Sequence, residues 1–203
     1  MPKILSAAHI EAFRDRLCNI AEGLFASHGP EGVTMRELAV ALGVSQMTPY
    51  RYFKDKDAIL AAVRTRAFNR FAAAMEAADR KSLKGRRNPT GSSANAYLDF
   101  ALGNSAAYRL MFDVSQPTYG EYPELMEAME RARLTMGDGL RRLAVEGRFS
   151  GDVPLVAHVF WATLHGTVML ELAGMLGNER FGARKIAETA LRALARQFGV
   201  SRG

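Results

Sequence analysis

The chain has 203 residues, enough for one or two domains with a real core, and 48% of them are apolar. Strand signals are scarce while Ala, Leu, Met, Arg and Glu dominate, which excludes a β-rich fold and predicts an all-α one. The formal charge of +6 is unevenly placed: residues 1–87 hold 15 Lys/Arg against 9 Asp/Glu, and residues 88–203 hold 12 of each. A basic half joined to a neutral half points to a polyanion-binding module attached to something else, although Lys81–Arg87 alone supplies four of those cations as a solvated run. A single cysteine, Cys18, within an apolar helical stripe argues for a reduced protein without disulfides. The opening MPKILSAAHIEAFRDR reaches charge too soon for a secretory signal, so the expected location is cytoplasmic.

The first helix is expected over Ala8–His28, where Ile10, Phe13, Leu17, Ile20, Leu24 and Phe25 recur at helical spacing before Gly29 and Pro30 end it. His9 and His28 near its ends read as solvated polar residues. Thr34 then stands three residues before Glu37, the signature of a capping box, and Leu38, Ala39 and Leu42 form an apolar side that Gly43 terminates. Ser45 is positioned to cap a following helix, Gln46–Phe53. This is a helix-turn-helix layout, in which the second helix enters the major groove. Gln46, Met47 and Thr48 occupy its first turn and point at base edges; Tyr50, Arg51, Tyr52, Lys54 and Lys56 follow as phosphate partners with aromatic interleaving. The competing reading of this stretch alone is a surface helical hairpin. Asp55 and Asp57 open a long fourth helix, whose apolar face (Ile59, Leu60, Val63, Phe68, Phe71, Met75) runs to about Ala78.

Residues 10–60 resemble the N-terminal domain of the TetR (tetracycline-repressor-like) family of bacterial transcription regulators. The resemblance rests on GLFASHGPEGVTMRELAVALGVS, then YRYF, then the Lys-Asp-Lys-Asp-Ala-Ile-Leu opening of helix four. It covers about a quarter of the chain. Pro49 departs from the pattern, standing where the family has an aliphatic residue. A proline there loses one hydrogen bond, to the Ser45 carbonyl, which a first turn tolerates. Carried over residue by residue, the resemblance implies base reading by Arg36, Gln46 and Thr48, and phosphate contacts from Thr34, Tyr50, Tyr52 and Lys56. It also implies a dimer and an inverted-repeat operator with half-sites ~34 Å or a multiple apart.

KSLKGRRNPTGSS, residues 81–93, reads as a boundary by composition. The expected organisation is a DNA-binding domain over 1–56 and a ligand-binding and dimerisation domain over 57–203, with a connecting helix at 57–81, a loop at 82–93, and about nine helices in all. Further helices are expected over Ala94–Gly103, Ser105–Phe112 and Glu124–Glu146, with a loop holding Pro117, Gly120 and Pro123 between the last two. Val153–Leu176 is apolar nearly all round. Its two histidines, Glu171 and early proline make a membrane span a poor reading, and a helix buried against both its own domain and a partner chain fits better. The last helix, Phe181–Phe198, carries small residues that permit close contact. Val168, Leu172, Ala187, Ala190, Leu191, Leu194 and Phe198 are therefore assigned to a dimer interface, as the resemblance also implies. Trp161 with His165-Gly166 further resembles a C-terminal branch of the family named for its Trp, His and Gly.

No G-x-S-x-G, P-loop or G-x-G-x-x-G occurs. His158 and His165 share a helix face, but no third ligand lines up, so neither a metal, a cofactor nor catalysis is expected. Tyr97, Phe100, Tyr108, Met111, Phe112, Met136, Trp161, His165 and Met169 are expected to surround one mostly apolar pocket for a small organic effector, an expectation that leans on the resemblance. The reading is a ligand-responsive repressor that binds operator DNA as a homodimer. The alternative is a helical small-molecule-binding protein or enzyme without specific DNA binding.

Overall fold

Apolar residues recurring every three or four positions between explicit stop signals give a chain of helices. The computed structural model describes residues 6–85, 89–113, 119–176 and 181–200, and the regular elements among them are all helical. They are α1 (Ala7–His28), α2 (Met35–Leu42), α3 (Lys56–Gly85), α4 (Pro89–Gly103), α5 (Ser105–Met111), α6 (Pro123–Thr135), α7 (Asp138–Val145), α8 (Val153–Leu172) and α9 (Ala183–Gln197), with short 3-10 turns at Pro49–Arg51 and Tyr119–Glu121. Start signals are explicit. The Ser6 hydroxyl accepts from the His9 amide, and Asp152 from the Leu155 amide, at the heads of α1 and α8.

Several boundaries differ from the sequence reading, and three of the differences change how the elements divide. Helix α3 continues to Gly85, because nothing before that glycine breaks a helix and Ser82 is buried. Helix α4 begins at Pro89, a residue suited to a first helical position, so the expected loop at 82–93 is helical at both ends. Residues 86–88 of that loop, and Pro117 of the next, lie outside the described residues. The single helix expected over Glu124–Glu146 is two. At the break the amides of Met136 and Gly137 bond back to Arg133 and Leu134, and the Arg141 guanidinium donates to the Leu134 carbonyl. A Cβ at Gly137 would fall 2.6 Å from the Arg141 Nη1, so glycine leaves room for that closure.

The chain forms two compact units. The first comprises residues 1–68 and 106–129. Its core joins Phe13, Leu17 and Phe25 of α1, Leu38 and Leu42 of α2, Phe53, and Ile59, Leu60 and Val63 of α3. Leu110 of α5 completes it, and the guanidinium of Arg64, only 2% exposed, donates to the Met111 carbonyl at 3.1 Å. A division after residue 56 thus misses α5 and the first part of α3, which local patterning places elsewhere. Burial pushes the Cys18 thiol up within this core, which keeps it in the inert thiol form.

The second unit comprises residues 69–105 and 130–203. Leu140, Leu143, Phe149, Val156, Ala157 and Val200 form one core cluster, while Phe71 packs edge-on against Tyr97 at 5.3 Å and Phe100 at 5.2 Å. Arg131 grips Glu76 through two bonds of 2.9 Å and adds one to Asn69, and Arg142 pairs with Asp79. Helices α4, α7 and α9 all pack on α8.

Candidate nucleic-acid interface and ligand cavity

Helix α2 is held rigidly at both ends. The Glu37 amide donates to the Thr34 hydroxyl at 3.2 Å, and the Thr34 amide and hydroxyl donate to the Glu37 carboxylate at 2.7 and 2.9 Å. The Thr34 backbone N–H first, and its hydroxyl second, hold the Glu37 carboxyl below the usual carboxylate range. At the other end Gly43 takes φ 69°, and the amides of Gly43 and Val44 bond back to Val40 and Ala39. That left-handed close is open to glycine at no steric cost and turns the chain sharply.

The element after the turn is not the α-helix Gln46–Phe53 that was expected. It begins as three-residue turns, with Thr48 bonded to Ser45, Arg51 to Thr48 and Tyr52 to Pro49, and closes on one α-type bond from Phe53 to Pro49; a 3-10 helix covers only Pro49–Arg51. Pro49 has no N–H to reach the Ser45 carbonyl, which accepts from Thr48 instead. Ser45 makes no backbone cap; its hydroxyl sits 2.8 Å from that of Thr48. The segment is anchored behind. Tyr52 stacks on Phe13 at 4.0 Å, Arg14 donates to the Tyr52 carbonyl at 3.2 Å, and Arg14 lies 4.3 Å over the Phe53 ring.

Of the ten residues expected to meet DNA, Arg36, Gln46, Met47, Tyr50, Arg51 and Lys54 project from α2 and this turn segment with exposed side chains. The other four are committed within the domain. Thr34 serves the capping box, Thr48 bonds Ser45, and Tyr52 stacks on Phe13. Lys56 donates to the Pro30 carbonyl at 2.7 Å and lies 3.9 Å from Glu31, which ties the start of α3 to the loop after α1. That loop needs Gly32, where a Cβ would fall 2.3 Å from the His28 carbonyl oxygen.

The second unit holds a cavity of about 560 Å³ between α4, α7, α8 and α9. Its walls include Asn95, Tyr97 and Leu98 of α4, Ala157, Phe160, Trp161 and Leu164 of α8, and Ala187 and Leu191 of α9, with Arg184, Glu188 and Arg192 also lining it. Arg184 pairs with Asp99 and Arg192 with Glu188. Of the nine expected pocket residues, Tyr97, Met136 and Trp161 line it. Phe100 packs on Phe71; Tyr108, Met111 and Phe112 belong to the first unit; Met169 is exposed. His165 is half-buried outside the lining, and burial lowers its pKa. Phe160 and Leu164 were missed, although Ala157, Phe160, Trp161 and Leu164 repeat at helical spacing. Among the described residues no three His, Cys, Asp or Glu side chains gather as a metal site.

The residues assigned to a dimer interface divide. Val168 and Ala187 are buried within their own unit, Leu191 lines the cavity, and Phe198 packs on the core; Leu172, Ala190 and Leu194 are half-buried. An uncovered apolar strip runs along the face of α8 bearing Leu155, Ala162, Gly166, Met169 and Leu170, with Leu155 56% and Leu170 46% exposed.

Comparison with known proteins agrees with this architecture. The family described as "Bacterial regulatory proteins, tetR family" matches residues 19–63, and "Tetracyclin repressor-like, C-terminal domain" matches residues 91–194. The uncharacterized HTH-type transcriptional regulator Rv1255c of Mycobacterium tuberculosis is 42% identical over 55 residues, 27% of this chain and 27% of its own. The HTH-type transcriptional repressor Rv1474c of the same organism is 36% identical over 73 residues, 36% of this chain and 38% of its own. The aligned part is thus well under half the length of these relatives. A solved protein of unknown function from Rhodococcus sp. RHA1 superposes over 98% of this chain and 99% of its own, with a TM-score of 0.80 and 26% identity. With the two family matches together spanning most of its length, the chain belongs to the tetR family of bacterial regulatory proteins.

Proposed function

We propose that the chain is a transcriptional regulator, most simply a repressor, that binds an inverted-repeat operator as a homodimer and releases it when a small organic molecule enters the second unit. The observation that carries this reading is the doubly capped α2 and the turn after it, which hold exposed Arg36, Gln46, Met47, Tyr50, Arg51 and Lys54 in the basic half of the chain. The relative Rv1474c is a transcriptional repressor, which supports the sign of regulation. Phosphate contact falls to the exposed cations Arg51 and Lys54, and base reading to Arg36 and the first residues of the turn.

Dimerisation through α8 accounts for its composition. Only 28% of its most apolar window is buried, so the helix is neither an ordinary core helix nor well covered by its own chain. By length and composition it could cross a membrane, but a span would place His158, His165 and Glu171 together in hydrocarbon, whereas a partner copy on the exposed face leaves Glu171, on another side of the helix, uncovered by it. Among the described residues a Cβ at Gly166 meets nothing within 4 Å, so the glycine of the Trp-His-Gly pattern is not required by its own chain and suits close approach of a partner helix. The cavity, mostly apolar with Asn95 and paired charges at its wall, suits an organic effector, and the setting is cytoplasmic.

The test is competitive binding of purified protein to random duplexes and to inverted repeats enriched from them, over a range of salt. The regulator reading expects a specificity ratio of at least ~10³. A ratio near one, with salt-dependent binding to every duplex alike, would replace it with the helical small-molecule-binding alternative.

A further inference from the structure

The cavity of the second unit has an apolar floor and a charged rim, and both follow from the register of α9. Ala187, Leu191 and Ala195 stand four residues apart on one row of that helix and line the cavity together with Phe160, Trp161 and Leu164 of α8. Arg184, Glu188 and Arg192 form the neighbouring row; they line it too, and all three are exposed. Arg184 reaches across the rim to Asp99 of α4, whereas Arg192 pairs through Nη2 with Glu188 on its own helix. From Arg184 to Ala195 the α9 wall is about 16 Å long at ~1.5 Å per residue, so the cavity suits an extended body better than a compact one.

We propose that the effector is an extended organic anion, with an apolar body lying along this floor and a single carboxylate held at the rim by Arg192. The inference rests on the reading of the cavity as an effector site and names the chemical class that the site takes. Among the described residues the charged lining consists of two guanidiniums and one carboxylate, which leaves an excess of one positive charge. Arg184 is committed to a tie between two helices. The Arg192–Glu188 pair lies within one helix and is half-exposed, and such a pair contributes little, so Arg192 shares or exchanges its partner at small cost. Its planar fork of five N–H donors matches a second carboxylate in geometry as well as charge. A carboxylate at the rim stays in reach of water, which keeps its desolvation cost low, while the body behind it is removed from water among Phe160, Trp161 and Leu191. A cationic head finds no such site, because Glu188 already has Arg192 beside it.

Three probes with one tail and different heads make the experiment direct. Decanoate, decanol and decylammonium are titrated at neutral pH into the full-length protein, each below its micelle-forming concentration, with Trp161, the one tryptophan of the chain, as fluorescent reporter. An apolar cavity without a cationic rim ranks decanol first, because an ionised head is costlier to take from water. The expected result is decanoate ahead of both others, leading decanol by about tenfold, equivalent to ~1.4 kcal/mol, with the lead shrinking as salt rises. Arg192→Gln should bring decanoate below decanol and leave the affinity for decanol unchanged, which also shows that the variant keeps its fold. Decanol equal to or ahead of decanoate in the wild type, decylammonium ahead of both, or a decanoate lead that survives in Arg192→Gln overturns the proposal and leaves an organic effector standing. Binding of none of the three overturns the effector reading of the cavity itself.

Discussion

Lys56 distinguishes a structural from a DNA-contacting role within one residue. Its ammonium donates to the Pro30 carbonyl at 2.7 Å, with its side chain 24% exposed. Replacement by methionine keeps the aliphatic stem and removes only the charge and its hydrogen bond. A hydrogen bond from a charged donor is worth ~1.5–3 kcal/mol, and partial exposure lowers that here to ~1–2. The exposed Glu31 at 3.9 Å adds little. For a chain of this size each kcal/mol moves the melting temperature by about 2–4 °C, so Lys56→Met should melt about 2–8 °C below the wild type at equal protein concentration. If Lys56 served a phosphate instead, the slope of log affinity against log salt would flatten by ~0.9 per protomer. The expected outcome is lower stability with that slope unchanged. A flattened slope at unaltered melting temperature would refute the assignment and return Lys56 to the DNA surface.

Three further outcomes follow from the geometry. Glutamate substitution at both Leu155 and Leu170, on the uncovered face of α8, should give a folded monomer in sedimentation with weakened operator binding; a persistent dimer would move the interface off this face. The Glu37 carboxyl is held below its ordinary range, so its contribution to stability is present above the unfolded value and lost as pH falls through the folded one. Glu37→Gln should therefore differ most from the wild type near neutral pH and converge on it in acid, and a gap in urea stability that stays constant through the acid limb would deny the capping carboxylate that role. Filling the cavity by Leu191→Trp should abolish release of DNA by any effector while sparing operator affinity. In the wild type such an effector should perturb Trp161 fluorescence over the same concentrations that lower operator affinity roughly 5–150-fold, and release without a fluorescence change would place the effector elsewhere.

Signals that act over a few residues were legible in the sequence. The capping box at Thr34 and Glu37, the left-handed stop at Gly43 and the stripe of α1 depend only on neighbours along the chain, so periodicity and turn chemistry sufficed to place them. Pro49 was visible too, but its consequence was underestimated. The lost bond to Ser45 does not merely thin an α-helix; Thr48 takes that carbonyl, and the segment up to Tyr52 winds as three-residue turns before one α-type bond from Phe53 to Pro49. Composition likewise announced a basic half and a neutral one.

What tertiary structure alone decided is which apolar face meets which. Tyr108 and Phe112 share the aromatic character of Tyr97 and Trp161, and Met111 their apolar bulk, yet all three fall in the first unit, where Leu110 closes the core and Arg64 holds the Met111 carbonyl. Helix α8, apolar on every side, gives no preferred direction by pattern, so which of its faces lines a cavity, packs a core or stays uncovered depends on where α4, α7 and α9 come to rest. Lys56 shows the same limit at the scale of one side chain. A lysine beside a DNA-binding turn carries its charge in the sequence, but only the approach of the Pro30 carbonyl, 26 residues earlier, determines what that charge holds. Local stereochemistry is written along the chain; burial and partnership are settled by distant segments that compete for the same surface.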